Sequence, residues 1–126
     1  MVSDTDLILK HDTVRKIIRI YTLGEKEVGL LSYRRFPGGL VIEVCMIYTN
    51  QEFQRKGYAT FLLKKLIELN PEYSMLYLHT TSTNKPAIAF YEAFGFKKAF
   101  DWKDFYEDPS SGEVHDSVFY GYKIKH

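Results

Sequence analysis

Two stretches early in the chain, residues 14–23 (VRKIIRIYTL) and 28–34 (VGLLSYR), are rich in β-branched and aromatic residues. They predict two antiparallel strands, with Gly24-Glu25-Lys26-Glu27 between them as a hairpin turn. Pro37-Gly38-Gly39 predicts a second turn. Residues 40–49 (LVIEVCMIYT) then form a nearly unbroken apolar run, as expected for the middle of a sheet, in which Glu43 is the only charge. From Gly57 the period becomes helical. Phe61, Leu62, Leu63, Leu66, Ile67 and Leu69 share one broad face, Lys64, Lys65 and Glu68 the other, and Asn70-Pro71 ends the helix. Residues 75–80 (MLYLHT) return to a strand. Asn84 is placed to cap a short helix, with Pro86 in its first turn and Gly95 just past its end. The aromatic run 118–123 (VFYGYK) reads as a terminal strand. The order of about four strands, then α, β, α, β, β, predicts an α+β fold: a mixed sheet with helices packed on it.

A chain of 126 residues supports one core, so residues 1–126 are expected to form a single domain. Hydrophobic residues at 45% and charged residues at 26% fit a globular protein rather than a disordered one. No apolar run approaches the roughly 20 residues that span a bilayer, and the start of the chain is acidic where a signal peptide would be basic. Cys45 has no cysteine to pair with, and its apolar surroundings predict a buried, inert thiol in a reducing, cytoplasmic compartment. With 17 basic and 16 acidic side chains, the net charge of +1 argues against nonspecific nucleic-acid binding. Its distribution says more: residues 101–116 (DWKDFYEDPSSGEVHD) hold six carboxylates against one lysine, Lys103.

Gln54-Arg55-Lys56-Gly57-Tyr58-Ala59 stands at the junction of strand and helix, where unpaired N–H groups point outward. Such a helix start binds phosphate, Gly57 permits close backbone approach, and Arg55 and Lys56 add positive charge. A basic, glycine-containing turn fits a solvated helix cap equally well by itself.

Together with its context, this turn resembles the acetyl-CoA loop of the GNAT superfamily of N-acetyltransferases, Q/R-x-x-G-x-G/A between a central strand and a long helix. Residues 84–96 (NKPAIAFYEAFGF) are similar to the family's second signature, N-x-x-A-I-x-F-Y-x-x-x-G-F, at every fixed position. The resemblance is close over residues 40–100 and holds only in outline outside them. It implies a mostly antiparallel sheet of six to seven strands with helices on its faces, and acetyl-CoA as cosubstrate with no metal. It further implies that the backbone of Ile47, Tyr48 and Thr49 pairs with the pantetheine arm. Gln54, Arg55, Lys56, Gly57, Tyr58, Ala59 and Thr60 would hold the pyrophosphate, Asn84 would meet the pantetheine or thioester end, and Phe90 would pack on the cofactor. Family members usually carry one or two helices before the second strand, which wall the acceptor site. The first 15 residues here cannot supply them, so the acceptor cleft is expected to be open or walled by the second subunit of a homodimer.

Direct acetyl transfer needs a deprotonated amine, a donor to the developing oxyanion and an acid for the leaving thiolate. The resemblance places Tyr91 beside the sulfur as that acid and a strand amide, that of Ile47, as the oxyanion donor. Glu43 lies 14 positions before Gly57, the spacing of the glutamate base in histone-acetylating relatives, and its apolar flanks favour a desolvated carboxylate. An ion pair with Arg34 is its structural alternative. His79 is a second candidate base, being similar in its Leu-His context to the histidine of N-terminal acetyltransferases; the alternative is a half-buried structural histidine. For the acceptor, Asp101, Asp104 and the other acids of residues 101–116, read as a loop, would form a negative rim, with Glu27 and Thr83 adding to it. These features favour a small cationic amine, first a polyamine or diamine. Protein lysines or N-termini come second, and a non-catalytic CoA-binding module is a further alternative. No nucleic-acid or membrane partner is expected.

Overall fold

The computed structural model describes residues 2–125, which divide into two compact units. The first runs to Tyr73. It is an antiparallel sheet of β1 (Leu7–Asp12), β2 (Ile17–Thr22), β3 (Glu27–Arg35) and β4 (Val41–Thr49), each strand paired with the next, followed by helix α1 (Tyr58–Glu68). Helix α1 lies on β3 and β4, as its amphipathic pattern requires: Leu62, Leu63 and Leu66 are fully buried, as are Ile18, Ile20, Leu31 and Ile42 of the sheet. The second unit, Ser74–Lys125, contains β5 (Met75–Thr81), α2 (Lys85–Phe94), β6 (Lys97–Glu107) and β7 (Val114–Lys123). Strand β7 pairs antiparallel with both β5 and β6. Among the described residues, seven strands and two α-helices bear out the α+β class.

Helix α2 has the expected ends. The Asn84 side chain accepts from the Ala87 amide at 3.3 Å, Pro86 stands in the first turn, and Gly95 ends the helix at φ 121°.

Three details depart from the sequence reading. About four strands were expected before the first helix, but no residues were assigned to β1, because LILKHD is short and lies at an edge with β2 as its partner among the pairings of this unit. Only four residues join it to β2, and Asp12 accepts from the amides of Val14 and Arg15 to close that turn. The acidic segment is not mainly a loop. Asp101 and Asp104 lie on β6, which pairs with β7 as far as Glu107↔Val114, because Phe100, Trp102, Phe105 and Tyr106 suit a strand whose acids point to solvent. Cys45 is exposed, not buried. Tyr33 pairs with Val44 and Ser32 with Met46, so Cys45 is the extra residue of a β-bulge and leaves the inward alternation of β4. Burial of its surroundings and then the Glu43 carboxylate push its thiol above the ordinary value, which disfavours the reactive thiolate.

Candidate active site

In the first unit, β4 runs out at Thr49 into a single 3-10 turn (Gln51–Phe53) and then the turn that starts α1. Arg55 and Gly57 both adopt left-handed backbone, at φ 63° and 88°. A non-glycine residue there stores about 1 kcal/mol or more of strain, a cost tolerated mainly at functional turns. Turns of this kind present successive amides to an anion. Gly57 is the N-cap of α1 and no side chain caps the helix; the first helical bond runs from the Phe61 amide to the Gly57 carbonyl at 3.0 Å. The amides of Tyr58, Ala59 and Thr60 therefore have no helical acceptor. Beside them a small cavity of about 240 Å³ is lined by Val2, Lys56, Gly57, Thr60, Phe61 and Lys64. Glycine conformation, uncapped amides and two lysines suit a pyrophosphate.

The supports of this turn are local. The Gln54 side chain donates to the Thr49 carbonyl at 3.1 Å, so any phosphate contact from Gln54 falls to its backbone. Lys26 pairs with Glu52 and lies over the Phe53 ring, which meets Tyr58 edge-on at 5.8 Å. Asn50 donates to the Glu27 carbonyl, and its own amide reaches the Val28 carbonyl at 2.8 Å. These contacts hold the strand end carrying Ile47, Tyr48 and Thr49. Gly29, which the sequence reading missed, is opposite Thr49, and a Cβ there would overlap the Tyr48 carbonyl oxygen.

Glu43 is 7% exposed and faces Arg34 across the β3–β4 ladder, where the two form an ion pair. Glu27 is likewise engaged, its carboxylate 2.8 Å from Arg19 Nη1.

In the second unit, His79 of β5 sits among rings: Phe119 at 4.9 Å, Phe105 edge-on at 5.3 Å and Tyr106 at 5.8 Å between centroids. The Tyr106 hydroxyl lies 2.5 Å from His79 Nδ1. Tyr106 was missed because 27 residues separate the pair; the Phe105-Tyr106 doublet inside the acidic run was its only sequence signal. Tyr91 on α2 is packed between Phe90 and Phe96, and burial, aided by the neighbouring Tyr106 phenol, raises its pKa above the ordinary value. The phenol is therefore protonated at neutral pH and able to donate. Asn84 uses its carbonyl oxygen for the helix cap, while its Nδ2 approaches the Thr80 hydroxyl at 3.4 Å. Thr83 meets Thr81, hydroxyl to hydroxyl, at 3.4 Å.

The acids of residues 101–116 are partly consumed locally. Asp101 pairs with Lys98 at 2.8 Å, Asp116 accepts the Asp104 amide at 2.9 Å, and Asp108 accepts from the backbone and hydroxyl of Ser110. Among the described residues no group of histidine, cysteine or carboxylate side chains is arranged to hold a metal, and no helix is long and apolar enough to cross a membrane.

Comparison with known proteins gives this geometry a context. A curated N-alpha-acetyltransferase of Saccharolobus solfataricus is 32% identical over 95 residues, 70% of this chain, and the chain spans 55% of that protein's length. The crystal structure of the ribosomal-protein-S18-alanine N-acetyltransferase from Escherichia coli superposes with a TM-score of 0.73 at 18% identity, over 98% of this chain and 73% of its own. A nourseothricin acetyltransferase does so with a TM-score of 0.76 at 19% identity, over 85% of this chain and 64% of its own. At these identities the two structures establish the fold alone, and their names give different acceptors. The sequence profile of the acetyltransferase (GNAT) family matches residues 4–96, spanning both the uncapped turn before α1 and the Asn84-capped helix, and the chain belongs to that family.

Proposed function

We propose that this chain transfers the acetyl group of acetyl-CoA to a primary amine, which attacks directly while both substrates are bound, and that the amine is the free N-terminus of a peptide or protein. The observation that carries the reaction class is the left-handed turn at Arg55 and Gly57 before an uncapped helix start. The amides of Tyr58, Ala59 and Thr60, with Lys56 beside them, would hold the pyrophosphate. Ile47, Tyr48 and Thr49 would offer their backbone to the pantetheine arm, and the Ile47 amide would donate to the developing oxyanion. Acetyl-CoA supplies the activated thioester.

Among the protein groups, we assign the base to His79 and the acid to Tyr91. An imidazole is suited to take an amine proton near neutral pH, whereas a carboxylate oxygen of Glu43 is already held by Arg34. Tyr91, a phenol that is protonated at neutral pH, would give its proton to the leaving thiolate.

The acceptor reading is supported by the 32% identity to a protein named an N-alpha-acetyltransferase. It is also supported by the engagement of Glu27 with Arg19 and of Asp101 with Lys98, which leaves those carboxylates less able to hold the distal ammonium of a diamine. A polyamine acceptor is the second reading, favoured by the six carboxylates of residues 101–116. One assay separates them: release of free thiol from acetyl-CoA in the presence of peptides with free or blocked N-termini, diamines and monoamines. Turnover is expected with free N-termini and not with the same peptides blocked. Turnover of diamines without any peptide turnover would overturn the acceptor, and no thiol release with any amine would overturn the reaction.

A further inference from the structure

His79 has a partner whose chemistry decides whether it can work. Its Nδ1 lies 2.5 Å from the Tyr106 hydroxyl, and the faces and edge of the imidazole meet Phe119 and Phe105. A neutral imidazole carries one proton, and the hydrogen bond at one nitrogen decides the state of the other. If the Tyr106 hydroxyl donates to Nδ1, the proton is on Nε2 and that nitrogen is no base. If Nδ1–H donates to the Tyr106 oxygen, Nε2 carries the lone pair.

We propose that Tyr106 is a positioning residue that accepts the Nδ1–H of His79, holding the ring in one orientation and leaving Nε2 as the basic atom. This rests on the assignment of His79 as the base. The arrangement survives the reaction step: when the amine proton moves to Nε2, the imidazolium still donates through Nδ1 to the same phenol oxygen, so this hydrogen bond keeps its direction. A charged donor makes the stronger bond, so the contact with Tyr106 strengthens as the proton arrives. The titratable groups facing the ring include Tyr106 from β6 and Tyr77 from its own strand, at 6.2 Å between centroids; Phe105 and Phe119 beside it carry no charge. Tyr91 of α2 is close enough to Tyr106 for that phenol to influence it.

Two measurements test this. In the unaltered protein, nitrogen NMR of the His79 imidazole should show the Nδ1–H tautomer dominating the neutral form; dominance of Nε2–H overturns the proposal without any variant. In Tyr106→Phe, which keeps the ring, the rate constant kcat should fall roughly tenfold, with KM for acetyl-CoA unchanged. The tautomer ratio should move toward Nε2–H, because the Nδ1–H has lost its acceptor. An unmoved tautomer ratio in Tyr106→Phe, alongside an inactive His79→Gln enzyme, overturns the positioning role and leaves the base assignment standing. A His79→Gln enzyme at full rate overturns the base assignment, and the positioning role falls with it.

Discussion

Arg35 grips Asn70 from the end of β3, its Nε at 3.1 Å and its Nη2 at 2.6 Å from Asn70 Oδ1, while Asn70 Nδ2 donates to the Leu66 carbonyl at 2.9 Å. Asn70 is fully buried just past α1, so this amide closes the helix end and ties it to the sheet. Asn70→Ala leaves the Arg35 guanidinium and the Leu66 carbonyl without these partners. It should lower stability by about 2 kcal/mol, read as a drop in the midpoint of urea unfolding; an unchanged midpoint would show that water replaces the amide at little cost.

The turn before α1 depends on Gly57. At φ 88° a side chain costs about 1–2 kcal/mol before any contact is considered. Gly57→Ala should weaken acetyl-CoA binding roughly tenfold, and Gly57→Val should abolish it by filling the space over the uncapped amides. Calorimetric titration checks both, and a valine variant with ordinary affinity would remove the turn from the cofactor site.

Gly29 makes a different demand. A methyl group there would overlap the Tyr48 carbonyl oxygen and stand 3.2 Å from Thr49 Cα, both backbone atoms that cannot rotate away. Gly29→Ala should therefore destabilise the protein by about 1–3 kcal/mol. It should also raise KM for acetyl-CoA, because the strand segment 47–49 is displaced. A variant that loses stability with KM unchanged would separate this strand end from cofactor binding.

Tyr91→Phe keeps the half-buried ring and removes only the hydroxyl. If that phenol protonates the thiolate, kcat should fall roughly a hundredfold while acetyl-CoA affinity measured by titration holds. A rate close to that of the unaltered enzyme would pass the acid role to another group or to water.

Tyr120 confers an alkaline sensitivity. It is 2% exposed and donates to Glu92 at 2.8 Å, and burial first, then the Glu92 carboxylate, push its pKa from 10.0 up to about 12. Between those values the unfolded chain releases a proton that the folded chain keeps, so stability is lost as pH rises through that window. Tyr120→Phe should flatten this part of the stability–pH curve. An equally steep fall in the variant would assign the alkaline loss to other groups.

What the sequence determined by itself is local. Helix α1 follows from one apolar face over three turns. Helix α2 follows from Asn84, Pro86 and Gly95, and the turn from Gln54 to Thr60, proposed above to hold the pyrophosphate, lies within seven consecutive residues. Periodicity, capping and turn conformation act over a few residues, so they are legible without a fold. Tertiary structure decided what depends on a partner strand. The exposure of Cys45 comes from a bulge visible only in the register of β3 against β4, and β1 is a strand because β2 is there to pair with it. It also decided which charged groups are already engaged, Glu43 by Arg34 and Glu27 by Arg19, and which phenol stands at His79 Nδ1. Hydrogen bonds and ion pairs are set by distances of a few ångströms between residues far apart in the chain, and only the folded backbone fixes those distances.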